Sequence, residues 1–149
     1  NNEGKSKEIS DLLPKELKKH FPKDYNLSSP PETGKSFNEN SLIKASYFSK
    51  KTNLVCLSDD SGLEIDLLNG RPGIYSSRWC GKKNNFNLAI KKVFKKLDQA
   101  DQNWKTKKIR ARFICALTIY GPKTKTIISD GFELKRWKHA PDNWRICDA

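Results

Sequence analysis

The chain contains no methionine, not even an initiator, so residue 1 is expected not to be the natural start. It has only two histidines, His20 and His139, far apart and next to no cysteine. Its four cysteines, Cys56, Cys80, Cys115 and Cys147, form no C-x-x-C pair, and this spacing speaks against a zinc site. No apolar stretch approaches the roughly 20 residues that span a bilayer, and no signal-peptide pattern is visible. Acidic residues are scarce, 17 against 29 Lys and Arg, giving a formal charge of +12. Such a balance attracts polyanions but does not choose among nucleic acid, anionic membrane and nucleotide phosphates. Many of the lysines, among them Lys91, Lys92, Lys95 and Lys96, fall in a helical run, where a solvated face is the ordinary outcome.

What is present suits one soluble domain. A length of 149 residues fits a single unit. The 36% hydrophobic content is enough for one core despite a mean hydropathy of −0.78. Cys56 and Cys115 sit inside the apolar runs 54–57 and 113–117, as buried reduced thiols of a cytoplasmic protein do.

Ile9, Leu12, Leu13 and Leu17 recur at helical spacing, with Pro14 and Pro22 predicting a kink and then a stop. Residues 25–27 read as a brief strand and 28–34 as a loop. Ser36-Phe37-Asn38-Glu39 is a capping box that opens a second helix running to about Lys50. Leu54–Leu57, the polar segment 58–62 and the alternating Leu63–Leu67 read as strand, turn, strand. After a Gly/Pro-rich loop, Phe86, Ile90, Val93, Phe94 and Leu97 mark a third helix. Arg110–Tyr120 and Thr124–Ser129 read as two strands joined at Gly121-Pro122. The predicted class is α/β, a mixed twisted sheet flanked by helices. Lys135–Ala149 follows neither period.

Asp59 and Asp60 follow an apolar strand, which places two carboxylates at a strand end, where open α/β sheets bind ligands. Magnesium (Mg2+) takes a few carboxylate oxygens together with waters and phosphates, so this pair and one remote acid suit it. The same Asp-Asp-Ser-Gly residues are turn formers, and spacing alone leaves a plain hairpin turn equally open. Asn1-Asn2-Glu3-Gly4-Lys5 stands at the mouth of the first helix, where free N–H groups and Lys5 favour a phosphate or simply cap the helix. Asn40 and Lys44, four apart, share one helix face. Glu39 is placed to cap the helix, which leaves Glu32 on the Pro-rich loop as the remote acid.

The motifs Asn2-x-Gly-Lys5-x-x-Glu8-Ile9, Glu32-Thr33-Gly34, Ser36-Phe37-x-Glu39-Asn40-x-x-x-Lys44-Ala45, Asp59-Asp60-Ser61-Gly62-Leu63 and Gly70-Arg71-Pro72-Gly73-Ile74-Tyr75-Ser76-Ser77-Arg78 occur in that order. Together they resemble the inosine/xanthosine triphosphate pyrophosphatase family. The resemblance implies an elongated fold of that family and Mg2+-dependent hydrolysis of non-standard purine nucleoside triphosphates (ITP, dITP, XTP) to the monophosphate and pyrophosphate, by a cytoplasmic homodimer. It implies Asp60 as general base, with Asp59 and Glu32 beside it holding metal or water, and Glu32 and Asp60 as the metal ligands. It further implies Asn1, Asn2, Glu3, Gly4 and Lys5 as the triphosphate loop, Lys44 as the second phosphate contact and Ser61 as a substrate contact.

Family members have a strand before the first motif and, later, Gly-Phe-Gly-Tyr-Asp and Ser-His-Arg segments that contact the purine; this sequence has none of them. The chain is therefore expected to be a fragment, with residues 1–131 an incomplete pyrophosphatase-like domain and 132–149 a tail without family resemblance, as after a shift of reading frame. No specific nucleic acid and no membrane partner are expected. Two other activities fit parts of the pattern: a basic nucleic-acid-binding module, on charge and the tail tryptophans, and a Maf-type nucleotide pyrophosphatase, which lacks the Asp-Asp-Ser-Gly arrangement.

Overall fold

The computed structural model of the chain describes residues 3–81 and 85–137. Three strands, β1 (Cys56–Ile65), β2 (Ile109–Gly121) and β3 (Thr124–Trp137), form a sheet in that order. Helices α1 (Glu3–Leu12), α2 (Phe37–Thr52), the short α3 (Ser76–Trp79) and α4 (Phe86–Ala100) complete an α/β architecture. Both strand pairings are antiparallel.

α2 begins where the sequence predicts. Ser36 Oγ accepts from the Glu39 N–H at 3.1 Å, while Glu39 Oε2 accepts from the Lys35 N–H at 2.6 Å, so the glutamate caps one residue earlier than expected. Lys50 and Lys51 lie in the last turn, facing the negative end of the helix dipole, and Asn53 closes it in a left-handed conformation. The buried face of α2 is made of Phe37, Asn40, Ser41, Ala45 and Ser49. Of these, Ser41, Ala45 and Ser49 are small enough to let the helix lie close on the sheet, and each hydroxyl finds a partner. Ser41 Oγ and Thr118 Oγ1 are 2.5 Å apart, and Ser49 Oγ donates to Leu54 O at 2.7 Å.

The largest difference from expectation is at residues 58–62. They form no turn, but continue one ten-residue strand in register with β2, Asp60 opposite Ala116 and Gly62 opposite Ile114. The hairpin-turn reading fails, and the acids lie within a strand rather than at its end. Pairing along both backbones and polar partners on α2 override the turn preference of Asp, Ser and Gly. Alternation gives Ser58, Asp60 and Gly62 the face covered by α2, and Leu63 and Ile65 the other. There they join Leu68, Val93, Leu97, Trp104, Ile109 and Ala111 in the main apolar core. Across α4 from that core, Lys91, Lys92 and Lys95 are exposed, as the helical pattern predicts.

α1 stops at Leu12 instead of continuing through a kink, because the pyrrolidine ring of Pro14 bars helix and Leu13 precedes it. Lys19 Nζ donates to Ser10 O at 2.7 Å and to Leu13 O at 3.2 Å, satisfying carbonyls that the ended helix leaves free. Leu12 and Leu17, part of the apolar period read from the sequence, are exposed. No strand forms at residues 25–27. Pro22–Tyr25 is a 3-10 turn, with the Phe21 N–H donating to Asp24 Oδ2 at 2.8 Å and Asn26 left-handed at its end. β3 continues past Ser129 to Trp137, crossing the expected boundary at residues 131/132; the rest of the tail lies outside the described residues.

Leu97 is fully buried in the core, so Leu97→Ala is expected to destabilise the chain by about 2–4 kcal/mol in urea denaturation. Leu12→Ala, at an exposed position, is expected to stay within about 0.5 kcal/mol of the parent.

Candidate active site

Three segments meet at one charged cluster. β1 brings Asp60, α2 brings Lys44, and the irregular loop before α2 brings Glu32. Lys44 Nζ lies 3.0 Å from Glu32 Oε1 and 3.3 Å from Asp60 Oδ1, a single ammonium between two carboxylates. The Lys44, Asp60 and Glu32 side chains are 15%, 11% and 32% exposed, so the cluster is sheltered but open on the Glu32 side. Two acids against one base leave it one negative charge in excess. Asn40, on the same face of α2 one turn earlier, accepts from the Gly34 N–H at 2.8 Å.

Burial pushes the Asp60 carboxyl above the ordinary aspartate range. Lys44 opposes that rise, Glu32 adds to it, and hydrogen bonding from Asn40 and Lys44 lowers it again. Burial alone would lower the Lys44 ammonium, yet Asp60, Glu32 and Asp59 together hold it above its usual value. Asp60 Oδ2 is buried without a hydrogen-bond partner among the described residues. A buried carboxylate oxygen left unpaired in a native fold calls for a ligand or a water.

Of the residues expected at the site, the fold brings Asp60, Glu32 and Lys44 together. Strand alternation directs Asp59 and Ser61 to the opposite face from Asp60, although Asp59 remains near enough for Lys44 to feel its charge. Glu3, Gly4 and Lys5 form the first turn of α1, while Asn1 and Asn2 lie outside the described residues. The sequence placed Asn40 in the cleft but not its bond to the Gly34 loop. The signal was the i, i+4 pairing with Lys44; the partner, six residues back in an irregular loop, has no periodic signature.

The cluster and its setting define a class: a helix laid on an antiparallel sheet, with a carboxylate–lysine–carboxylate cleft between them. A model of the Ham1 family matches residues 1–133. The chain belongs to that family. It is similar to the dITP/XTP pyrophosphatase of Rhodospirillum centenum, 41% identical over 123 residues, which cover 81% of this chain and 59% of that protein. The dITP/XTP pyrophosphatase of Bacillus licheniformis is 37% identical over 137 residues, covering 85% of this chain and 64% of that one. Among solved structures, the Staphylococcus aureus Ham1 protein matches with a TM-score of 0.77 at 31% identity, over 93% of this chain and 70% of its own. A HAM1 protein from Coxiella burnetii gives 0.76 at 33%, over 90% and 68%. The chain thus spans about three fifths of the length of the two pyrophosphatases.

Lys44→Met leaves Glu32 and Asp60 facing each other with no cation between them. The Asp60 pKa, already raised by burial, then rises further, so the ionised form costs more and stability falls as pH climbs through that pKa. The expected loss at pH 7 is about 1–3 kcal/mol, discounted for partial exposure, and it shrinks toward pH 4 as the Asp60 carboxyl protonates. Urea denaturation of both proteins at the two pH values measures it.

Proposed function

We propose that this chain carries the catalytic half-site of a pyrophosphatase that hydrolyses non-standard purine nucleoside triphosphates (ITP, dITP, XTP) to the monophosphate and pyrophosphate with Mg2+. The observation that carries this reading is the Asp60 carboxylate, buried beside Lys44 and Glu32 with its Oδ2 unpartnered. The names of the relatives supply the substrate class. The residues fit a magnesium ion: Asp60 Oδ2 is an unused hard oxygen donor and Glu32 brings a second carboxylate to the open side. Among the described residues no three His, Cys, Asp or Glu side chains cluster as a metal site, but Mg2+ is commonly held by one or two carboxylates, with waters and phosphates filling its shell. When bound, such an ion neutralises phosphate charge and offsets the repulsion between a triphosphate and these acids.

The chain's own groups divide the remaining work. Asp60, its carboxyl raised toward the range useful in proton transfer, orients a water for attack on the α-phosphorus and accepts its proton. Glu32 and Asp60 would hold the metal, while Asp59, turned to the opposite face of the strand, acts on the cluster through its charge. Lys44 contributes a cation to the phosphates. Asn1 to Lys5 receive the terminal phosphates at the start of α1, where unpaired N–H groups and the helix dipole favour anions, and Ser61 contacts substrate. We also assign a homodimer and a cytoplasmic setting. Leu117, Ile119 and Ile127 leave an apolar strip on the sheet that suits a partner surface. Cys56 and Cys80 are free thiols, which suits a reducing compartment.

Pyrophosphate release from ITP with Mg2+ tests the reading. Asp60→Asn is expected to lower the rate by about a hundredfold or more without loss of fold, and Lys44→Ala to act mainly on apparent affinity. An Asp60→Asn protein that keeps its rate within about threefold of the parent would sink the assignment.

A further inference from the structure

Glu32 stands on an irregular loop, whereas its partners Lys44 and Asp60 stand on a helix and a strand. Two carboxylates on separate segments act on one cation only if the loop is held at a fixed distance from the strand. Lys44 cannot do this alone, because its long flexible stem follows the acids rather than fixing them. Two residues after Glu32, the Gly34 N–H donates to Asn40 Oδ1 at 2.8 Å. Asn40 is 1% exposed, shut between α2 and the sheet, on a helix whose start is capped. At the next residue of the helix, Ser41 O accepts from Ser58 Oγ at 2.5 Å, which fastens α2 to the strand that carries Asp60. The loop lies so close to the helix that a Cβ at position 34 would stand 2.6 Å from Asn40 Oδ1 and 2.7 Å from Glu39 Cβ. Glycine is required there by close approach, and the approach is what lets the Asn40 carboxamide reach the loop backbone.

We propose that Asn40 is a positioning residue: one buried carboxamide ties the Glu32 loop to the helix that is fastened on the Asp60 strand, so that the two carboxylates meet a divalent cation as a preset pair. The inference rests on the reading of Glu32 and Asp60 as metal ligands. Its test reads metal and backbone without any nucleotide.

The 149-residue chain is prepared as wild type, Asn40→Leu, Gly34→Ala and the double variant. Asn40→Leu removes both polar ends of the carboxamide and keeps the branching of the side chain. Gly34→Ala pushes the loop off the helix and leaves Asn40 in place. Mn2+ binding to the nucleotide-free proteins is followed by electron paramagnetic resonance, and amide exchange at position 34 by NMR. Both single variants are expected to bind Mn2+ about tenfold more weakly than wild type and to exchange that amide faster. The double variant is expected to be no weaker than the worse single one, because both changes break the same link. Where Asn40→Leu does not fold, Gly34→Ala decides alone. A folded Gly34→Ala protein with Mn2+ affinity within about twofold of wild type overturns the proposal. So do single effects that add in the double variant, and so does a wild-type chain that binds no Mn2+. A wild-type chain that releases no pyrophosphate from ITP yet shows the expected Mn2+ and exchange pattern supports the Asn40 link and removes the pyrophosphatase activity.

Discussion

Lys44 reaches from α2 to the sheet and stands between Glu32 and Asp60, and most of what surrounds it serves that contact. An ammonium spans this gap only if the helix lies near the sheet. Ser41, Ala45 and Ser49 provide a face thin enough for that, and Ser58 Oγ, donating to Ser41 O at 2.5 Å, fastens the strand to it. Gly62 serves the same closeness two residues on from Asp60, since a Cβ there would come within 2.5 Å of Ser76 Oγ and 2.6 Å of Gly73 O. The Gly70–Arg78 motif is thereby packed against the strand that carries the acid, with Ser76 Oγ accepting from the Leu63 N–H at 2.9 Å.

The electrostatics of the molecule run in two directions. The surface is strongly basic and draws anions toward the protein, whereas the cleft itself holds an excess of negative charge. On the proposed function, a nucleotide brought in by the long-range field meets repulsion at short range unless a cation accompanies it. Basic exterior, acidic cleft and an unpartnered carboxylate oxygen fit the arrival of a metal-complexed phosphate better than that of a bare one.

The fold and the site were legible to different depths. α2 was readable almost to the residue because capping is local chemistry: Ser36 and Glu39 lie within one turn of what they bind. The core side of α4 was plain from its period only in part: Val93 and Leu97 are buried, but Phe86 is exposed and Ala89, outside the expected set, is buried. The segment 58–62 was misread as a turn because its residues favour turns in isolation, and what holds it extended is a strand more than fifty residues away. The exposed Leu12 and Leu17 show the converse, an apolar period of which only Ile9 and Leu13 are partly buried.

By itself the sequence determined which residue types were available for chemistry and in what order: the ordered motifs that carry the family, the capped helix presenting Asn40 and Lys44 on one face, and the acids Glu32, Asp59 and Asp60. Tertiary structure alone decided which of them meet. Two adjacent aspartates look like one site in a line of letters, but a paired strand turns successive side chains to opposite faces and so separates them. Glu32 and Asp60, twenty-eight positions apart in the sequence, share one ammonium because a helix of small residues lets its lysine reach across to the sheet.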